Sequence, residues 1–113
     1  MRNDTLTKKA NEFAHAIYKL SRTVPSHERF GFISQLRRAV LSIPLNIVEG
    51  YARQSDKEYR RFLLIAYGSY KETVYLITFG CEENYCTKQD ADAVLSLGDE
   101  VGKLLWTHIK NLA

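Results

Sequence analysis

The sequence predicts an all-α protein, an up-down-up-down antiparallel four-helix bundle with a kinked second helix. Three observations carry that expectation. Apolar residues recur at three- and four-residue steps in four separate stretches, and strand-like alternation is absent. Only two prolines occur in 113 residues, Pro25 where one apolar stripe ends and Pro44 inside another. The segments between the stripes are short, as they are between antiparallel neighbours in a bundle.

The first helix is expected from about Asp4 to Arg22, with Leu6, Ala10, Phe13, Ala14, Ile17 and Leu20 on one face. Asp4 or Thr5 is its expected cap, since a short oxygen-bearing side chain accepts from a free N–H of the first turn. Val24-Pro25 ends it, because the residue before a proline is pushed out of the helical region. The second helix begins near Ser26 and reaches about Ala52, with Leu36, Val40, Ile43 and Ile47 as its core face and Gly50 as a weak point near its end.

The third helix opens at Ser55-Asp56-Lys57-Glu58, a capping-box pattern. Tyr59, Phe62, Leu63, Ala66, Tyr70, Thr73, Val74 and Ile77 continue its stripe to about Glu83, a length of ~40 Å at 1.5 Å per residue. Asn84-Tyr85-Cys86 is the turn, and Thr87 with Asp90 starts the fourth helix. Its expected stripe is Ala91, Val94, Leu97, Val101, Leu105, His108 and Leu112. Gly68-Ser69 falls inside the third helix, where small residues permit close helix contact.

A chain of this length suffices for one domain, residues 1–113, and a domain of this size buries roughly two-thirds of its unfolded surface. No apolar run approaches the ~20 residues of a membrane span. The opening MRNDTLTKKANEF has no apolar signal core, and Cys81 and Cys86 form no C-x-x-C pair, so a reducing cytoplasmic location is expected.

The second helix carries more apolar surface than a bundle needs. Leu41, Leu45, Val48 and Ala52 recur at i, i+4, i+7 and i+11, roughly opposite the core face. This second stripe is expected to meet another subunit. Pro44 lacks an N–H and leaves the Val40 carbonyl without its usual donor, so a bend is expected there. Asn46 is placed to bond a freed backbone group and Glu49 to pair with a basic residue of a neighbour, both in structural roles.

Charge is uneven. Residues 1–79 hold 13 Lys and Arg against 7 Asp and Glu, whereas residues 80–113 hold 3 against 6. Lys57, Arg60 and Lys71 share one side of the third helix with Tyr67 and Tyr75 among them. Arg61 lies nearer the other flank, and Arg37, Arg38 and Arg53 add charge from the second helix and its end. Lys and Arg neutralise phosphates and aromatic faces stack on unpaired bases. The alternative is a solvated face whose cations pair across subunits.

Enzyme chemistry finds no constellation. Glu12-x-x-His15 is the E-x-x-H element of di-iron bundles, but it occurs once and points away from the core, so no metal or other cofactor is expected. His108 reads as a hydrogen-bonded packing residue. Neither cysteine has a basic neighbour to activate it. No G-x-S-x-G, Walker loop or H-E-x-x-H is present.

The stretch VPSHERFGFISQLRRAVLSIPLNIVEGYAR followed by EYRRFLLIAYGSYKET resembles the bacterial 23S rRNA intervening-sequence proteins, also called the S23 ribosomal protein family. The motif residues are Pro25 with Glu28-Arg29, Gln35 to Ala39, Ser42-Ile43-Pro44 with Asn46-Ile47 and Glu49-Gly50, and Phe62-Leu63 with Ala66 and Gly68-Ser69. The chain is also similar to the accessory variability protein of diversity-generating retroelements. These resemblances imply a homo-oligomeric ring, a pentamer, whose partners are RNA or DNA and a protein such as a reverse transcriptase. Two function classes follow as expectations: a non-enzymatic oligomer that binds RNA or single-stranded DNA through its basic face, or a protein-binding scaffold that touches no nucleic acid.

Overall fold

The computed structural model describes residues 4–113 and shows four α-helices: α1 (Asp4–Ser21), α2 (Ser34–Ala52), α3 (Asp56–Glu82) and α4 (Lys88–Asn111). Each packs against the next and α4 returns to α1, the adjacency of an up-down-up-down bundle. No strand occurs among the described residues. The molecule measures 43 × 25 × 19 Å. Its long axis is that of α3, 27 residues at ~1.5 Å each.

All six predicted apolar residues of α1 are buried. The side chain of Asp4 lies outside the described residues, and Thr5 is already inside the helix. At the other end, the hydroxyls of Ser21 and Thr23 donate to the carbonyls of Tyr18 and Leu20 at 2.6 and 2.8 Å. Both help satisfy the carbonyls of the ending helix, and that of Leu20 also accepts from the Thr23 N–H at 3.0 Å.

The expected start of the second helix at Ser26 is corrected in kind rather than in place. Residues Ser26–Glu28 form a 3₁₀ turn and Arg29–Ile33 a π-helical turn before α2 proper. Glu28 organises this entry. Its carboxylate accepts from the Phe32 N–H at 3.2 Å and from the Tyr85 hydroxyl at 2.7 Å. The Phe32 ring meets Tyr85 edge-on at 5.1 Å, which ties the α2 entry to the α3–α4 turn.

From Ser34 onward α2 continues through Pro44 to Ala52 without a break. Leu36, Val40, Ile43 and Ile47 are at most 1% exposed. Gly50 is a contact more than a weakness, because a Cβ there would come within 2.6 Å of the Phe62 Cβ on α3. Asn46 donates to the Ser42 carbonyl at 2.7 Å and to its hydroxyl at 2.9 Å, so the backbone group it engages belongs to Ser42 rather than Val40. Ser69 of α3 donates to the same Ser42 hydroxyl at 2.8 Å. Close contact between the helices therefore falls to Ser69, whereas Gly68 faces open space.

Ser55 caps α3 by accepting from the Glu58 N–H at 3.1 Å. The reciprocal half of the capping box is replaced, because the Glu58 carboxylate takes two hydrogen bonds from Arg61. Asn84 adopts φ 61°, a left-handed conformation that asparagine tolerates at a helix end. The Tyr85 N–H then closes on the Gly80 carbonyl at 2.8 Å. Thr87 caps α4 by accepting from the Asp90 N–H at 3.1 Å.

The core stripe of α4 is rotated from the predicted one. Ala91, Val94, Val101 and Leu105 are buried, but so are Gly98, Gly102 and Ile109, while Leu97, His108 and Leu112 lie on the flanks. The Phe13 and Tyr70 rings fill the space above the two glycines, where a Cβ would come within 2.9 and 2.5 Å respectively. Residues without side chains carry no apolar signal, so the sequence hides the centre of this stripe.

Candidate nucleic-acid interface

The seven predicted cations do not form one face. Three are held by their own chain. Arg37 donates from Nε to the Ser21 hydroxyl at 2.8 Å and lies 4.7 Å over the Tyr18 ring, which ties α2 to α1. Arg53 pairs with Glu49 at 2.9 Å, and Arg61 with Glu58 at 3.0 Å. Both guanidinium groups lie over the Phe62 ring, at 5.0 and 4.5 Å. The hydrogen bond from Arg61 is the main reason the Glu58 carboxyl is held below the usual carboxylate range. Glu49, expected to reach a neighbouring subunit, has its partner in the same chain.

The other four have no carboxylate within ion-pair distance among the described residues. Arg38 is exposed beside a cleft between α2 and α3 that also holds Gln35, Ser42, Ser69 and Glu72. Arg60 and Lys71 lie on the side of α3 nearest α4, and Lys57 is on the outward side of its first turn. Lys57 is exposed. Arg60 donates from Nε to the Ile109 carbonyl at 3.1 Å, near the negative end of α4, and its terminal nitrogens have no partner among the described residues. The Lys71 ammonium lies 5.6 and 5.7 Å from the Tyr67 and Tyr70 rings.

Of the two interleaved tyrosines, Tyr67 lies toward α4 and Tyr75 toward solvent, about five turns beyond Lys57 on the same side of α3. Tyr75 is 68% exposed and stacks on Phe79 at 6.4 Å. Two groups escaped the sequence reading. Trp106 on α4 is exposed and meets Tyr67 at 5.3 Å; spacing alone does not reveal an aromatic supplied by a neighbouring helix. Arg22 and Arg29 join Arg37 around a small hollow at the opposite end of the bundle. The non-α turn at residues 26–33 positions Arg29 there, and a regular helix pattern does not anticipate it.

The second stripe of α2 faces outward. Leu41, Leu45 and Val48 are 38%, 63% and 46% exposed. Ala52 is exposed too. On α3, Leu64 and Ile65 are exposed beside Gly68, and Phe30 is almost wholly exposed.

Among the described residues no three His, Cys, Asp or Glu side chains gather as metal ligands. Glu12 pairs with Lys9 at 3.5 Å. His108 Nδ1 is 2.8 Å from the Leu104 carbonyl. Both cysteines are free thiols, and burial raises the pKa of Cys86, the opposite of activation. No described helix is long and apolar enough to cross a membrane.

Residues 2–107 match the family model described as 23S rRNA-intervening sequence protein. Among solved structures, a crystal structure from Bacteroides thetaiotaomicron is similar at 29% identity with a TM-score of 0.85, covering 93% of this chain and 98% of that one. It is described as a protein with unknown function from the S23 ribosomal protein family. The comparison with curated proteins returns no match.

Proposed function

The chain belongs to the 23S rRNA-intervening sequence protein family, and from that premise we propose that it is a non-enzymatic oligomer that binds RNA or single-stranded DNA along α3. The observation that carries this reading is the row Lys57, Arg60 and Lys71. Its cations lack carboxylate partners among the described residues, while Arg53 and Arg61 on the neighbouring flank are already paired. A row without internal neutralisation is available to a polyanion, and each phosphate it neutralises releases condensed counterions.

The exposed Leu41, Leu45 and Val48 support self-association through α2, with five subunits in a ring as the expected form. A ring repeats the α3 row once per subunit, so weak contacts act together. The same apolar surface also favours the second reading, a scaffold for a partner protein such as a reverse transcriptase. The expected setting is the cytoplasm.

Replacing Lys57 and Lys71 together with alanine tests the reading without touching the Arg60 contact to α4. Filter binding against structured RNA, single-stranded DNA and duplex DNA is expected to show weaker binding and a salt slope flatter by about one to two. Oligomer mass stays unchanged. No binding of the wild type to any of these at low salt overturns the proposal in favour of the scaffold.

A further inference from the structure

The α3–α4 groove has chemistry that a plain basic face lacks. Trp106 is 47% exposed at its rim, with its ring 5.3 Å from that of Tyr67 and inclined by 43°. Tyr67 in turn is 5.6 Å from Tyr70. Tyr70 is buried and forms the floor, because Gly102 opposite it offers no side chain and a Cβ there would strike the phenol ring at 2.5 Å. The glycine lets α4 approach so closely that three aromatic rings line a hollow of about 480 Å³.

Charge surrounds the rings. Lys71 lies over two of them. Lys103 pairs with Asp99 at 3.0 Å on an exposed surface, a bond that solvent and salt weaken readily. Arg60, whose terminal nitrogens have no partner among the described residues, extends the basic rim toward the end of α4. The lining itself holds two cations, Lys71 and Lys103, against one carboxylate, Asp99, and Arg60 stands outside it. A half-exposed tryptophan in a cationic groove suits a ligand that is both flat and anionic.

We propose that this groove binds unpaired nucleotides, with a nucleobase stacking on Trp106 and Tyr67 and the adjoining phosphates meeting Lys71, Lys103 and Arg60. The proposal rests on the nucleic-acid reading above and narrows it to single strands. A duplex hides its base faces in its own stack and presents only phosphates and groove edges, whereas a single strand exposes a π-face that any base supplies. Sequence preference is accordingly weak.

Trp106 is the only tryptophan in the chain, so its emission reports on this groove alone. The full-length protein in its assembled form is titrated with a twelve-nucleotide oligouridylate, with oligo-dT of equal length and with a duplex, reading fluorescence anisotropy of end-labelled strands and, separately, Trp106 emission with unlabelled ones. The expected result is quenching that follows anisotropy for both single strands and is absent for the duplex. Trp106→Ala is expected to weaken single-strand binding by roughly tenfold, in line with the loss of one stacked base. Trp106→Phe, which keeps an aromatic face, restores most of it, and circular dichroism checks the fold of both. Single strands that bind with unchanged Trp106 emission, and with full affinity for Trp106→Ala, overturn the groove while leaving nucleic-acid binding along α3 in place. Anisotropy that rises for no nucleic acid overturns both.

Discussion

Glu28 shows how one carboxylate sets a local structure that periodicity does not foretell. It receives the Tyr85 hydroxyl across 57 residues of sequence and the Phe32 N–H within its own turn. These bonds, led by that from Tyr85, lower the pKa of its carboxyl, and the same bond raises that of the Tyr85 phenol. The two shifts set opposite limits. A lowered folded-state carboxyl stabilises the fold above its ordinary pKa and loses that contribution as pH falls through the lowered value. A raised phenol stabilises below its ordinary pKa and loses its contribution as pH rises through the folded value. Tyr85→Phe is therefore expected to lower the melting temperature by a constant amount across neutral pH, with the difference shrinking in acid once Glu28 is protonated. A difference that stays constant into strong acid counts against this coupling.

At the scale of elements, the α1 core face and the large residues of the α2 face were legible, because their side chains repeat without interruption, whereas the buried Ala39, Pro44 and Gly50 of α2 were not assigned to it. The α4 face was legible only in part. Gly98 and Gly102 carry the closest approaches yet contribute nothing to hydrophobic periodicity, so weight shifted to Leu97 and His108 on the flanks. The candidate site was less legible still. Arg53, Arg61 and Lys57 look equivalent in the sequence, and only the positions of Glu49 and Glu58 separate the occupied guanidinium groups from the available ammonium. Trp106 joins the groove through α4, a pairing that the α3 sequence does not contain.

Pro44 belongs to this scale as well. A proline inside a helix costs ~3 kcal/mol relative to alanine, yet α2 runs through it intact. Pro44 follows Arg37 by seven residues and so shares the flank on which Arg37 reaches α1. Its buried ring stands on the same helix as the exposed Leu41, Leu45 and Val48 stripe. If the proline shapes α2 to fit a curved neighbour, Pro44→Ala leaves helix content and monomer fold intact while raising the concentration at which subunits dissociate. Sedimentation velocity measures this directly, and an unchanged dissociation curve separates the proline from assembly.

At the scale of the whole molecule, the two outward surfaces lie on different helices. The apolar stripe is on α2, which also carries the unpaired Arg38, while Lys57, Arg60 and Lys71 with the aromatic groove are on α3 and α4. A protomer built this way can associate through one surface without covering the other, so assembly and nucleic-acid binding are separable by mutation. Leu45 is the most exposed residue of the α2 stripe, at 63%. Leu45→Glu has little to disturb inside the protomer, since surface substitutions away from special features usually change stability by about 0.5 kcal/mol or less. At an interface between subunits, the same change buries an unpaired charge, which costs several kcal/mol per copy and recurs around a ring. Light scattering is therefore expected to show the wild type as an oligomer near five times 13.0 kDa and Leu45→Glu as a folded monomer with an unchanged melting profile at low concentration. The monomer should retain the Trp106 response to single strands while its apparent affinity drops, because each groove persists but avidity is gone. A wild type that remains monomeric across micromolar concentrations removes the ring and leaves the α2 stripe to a different partner.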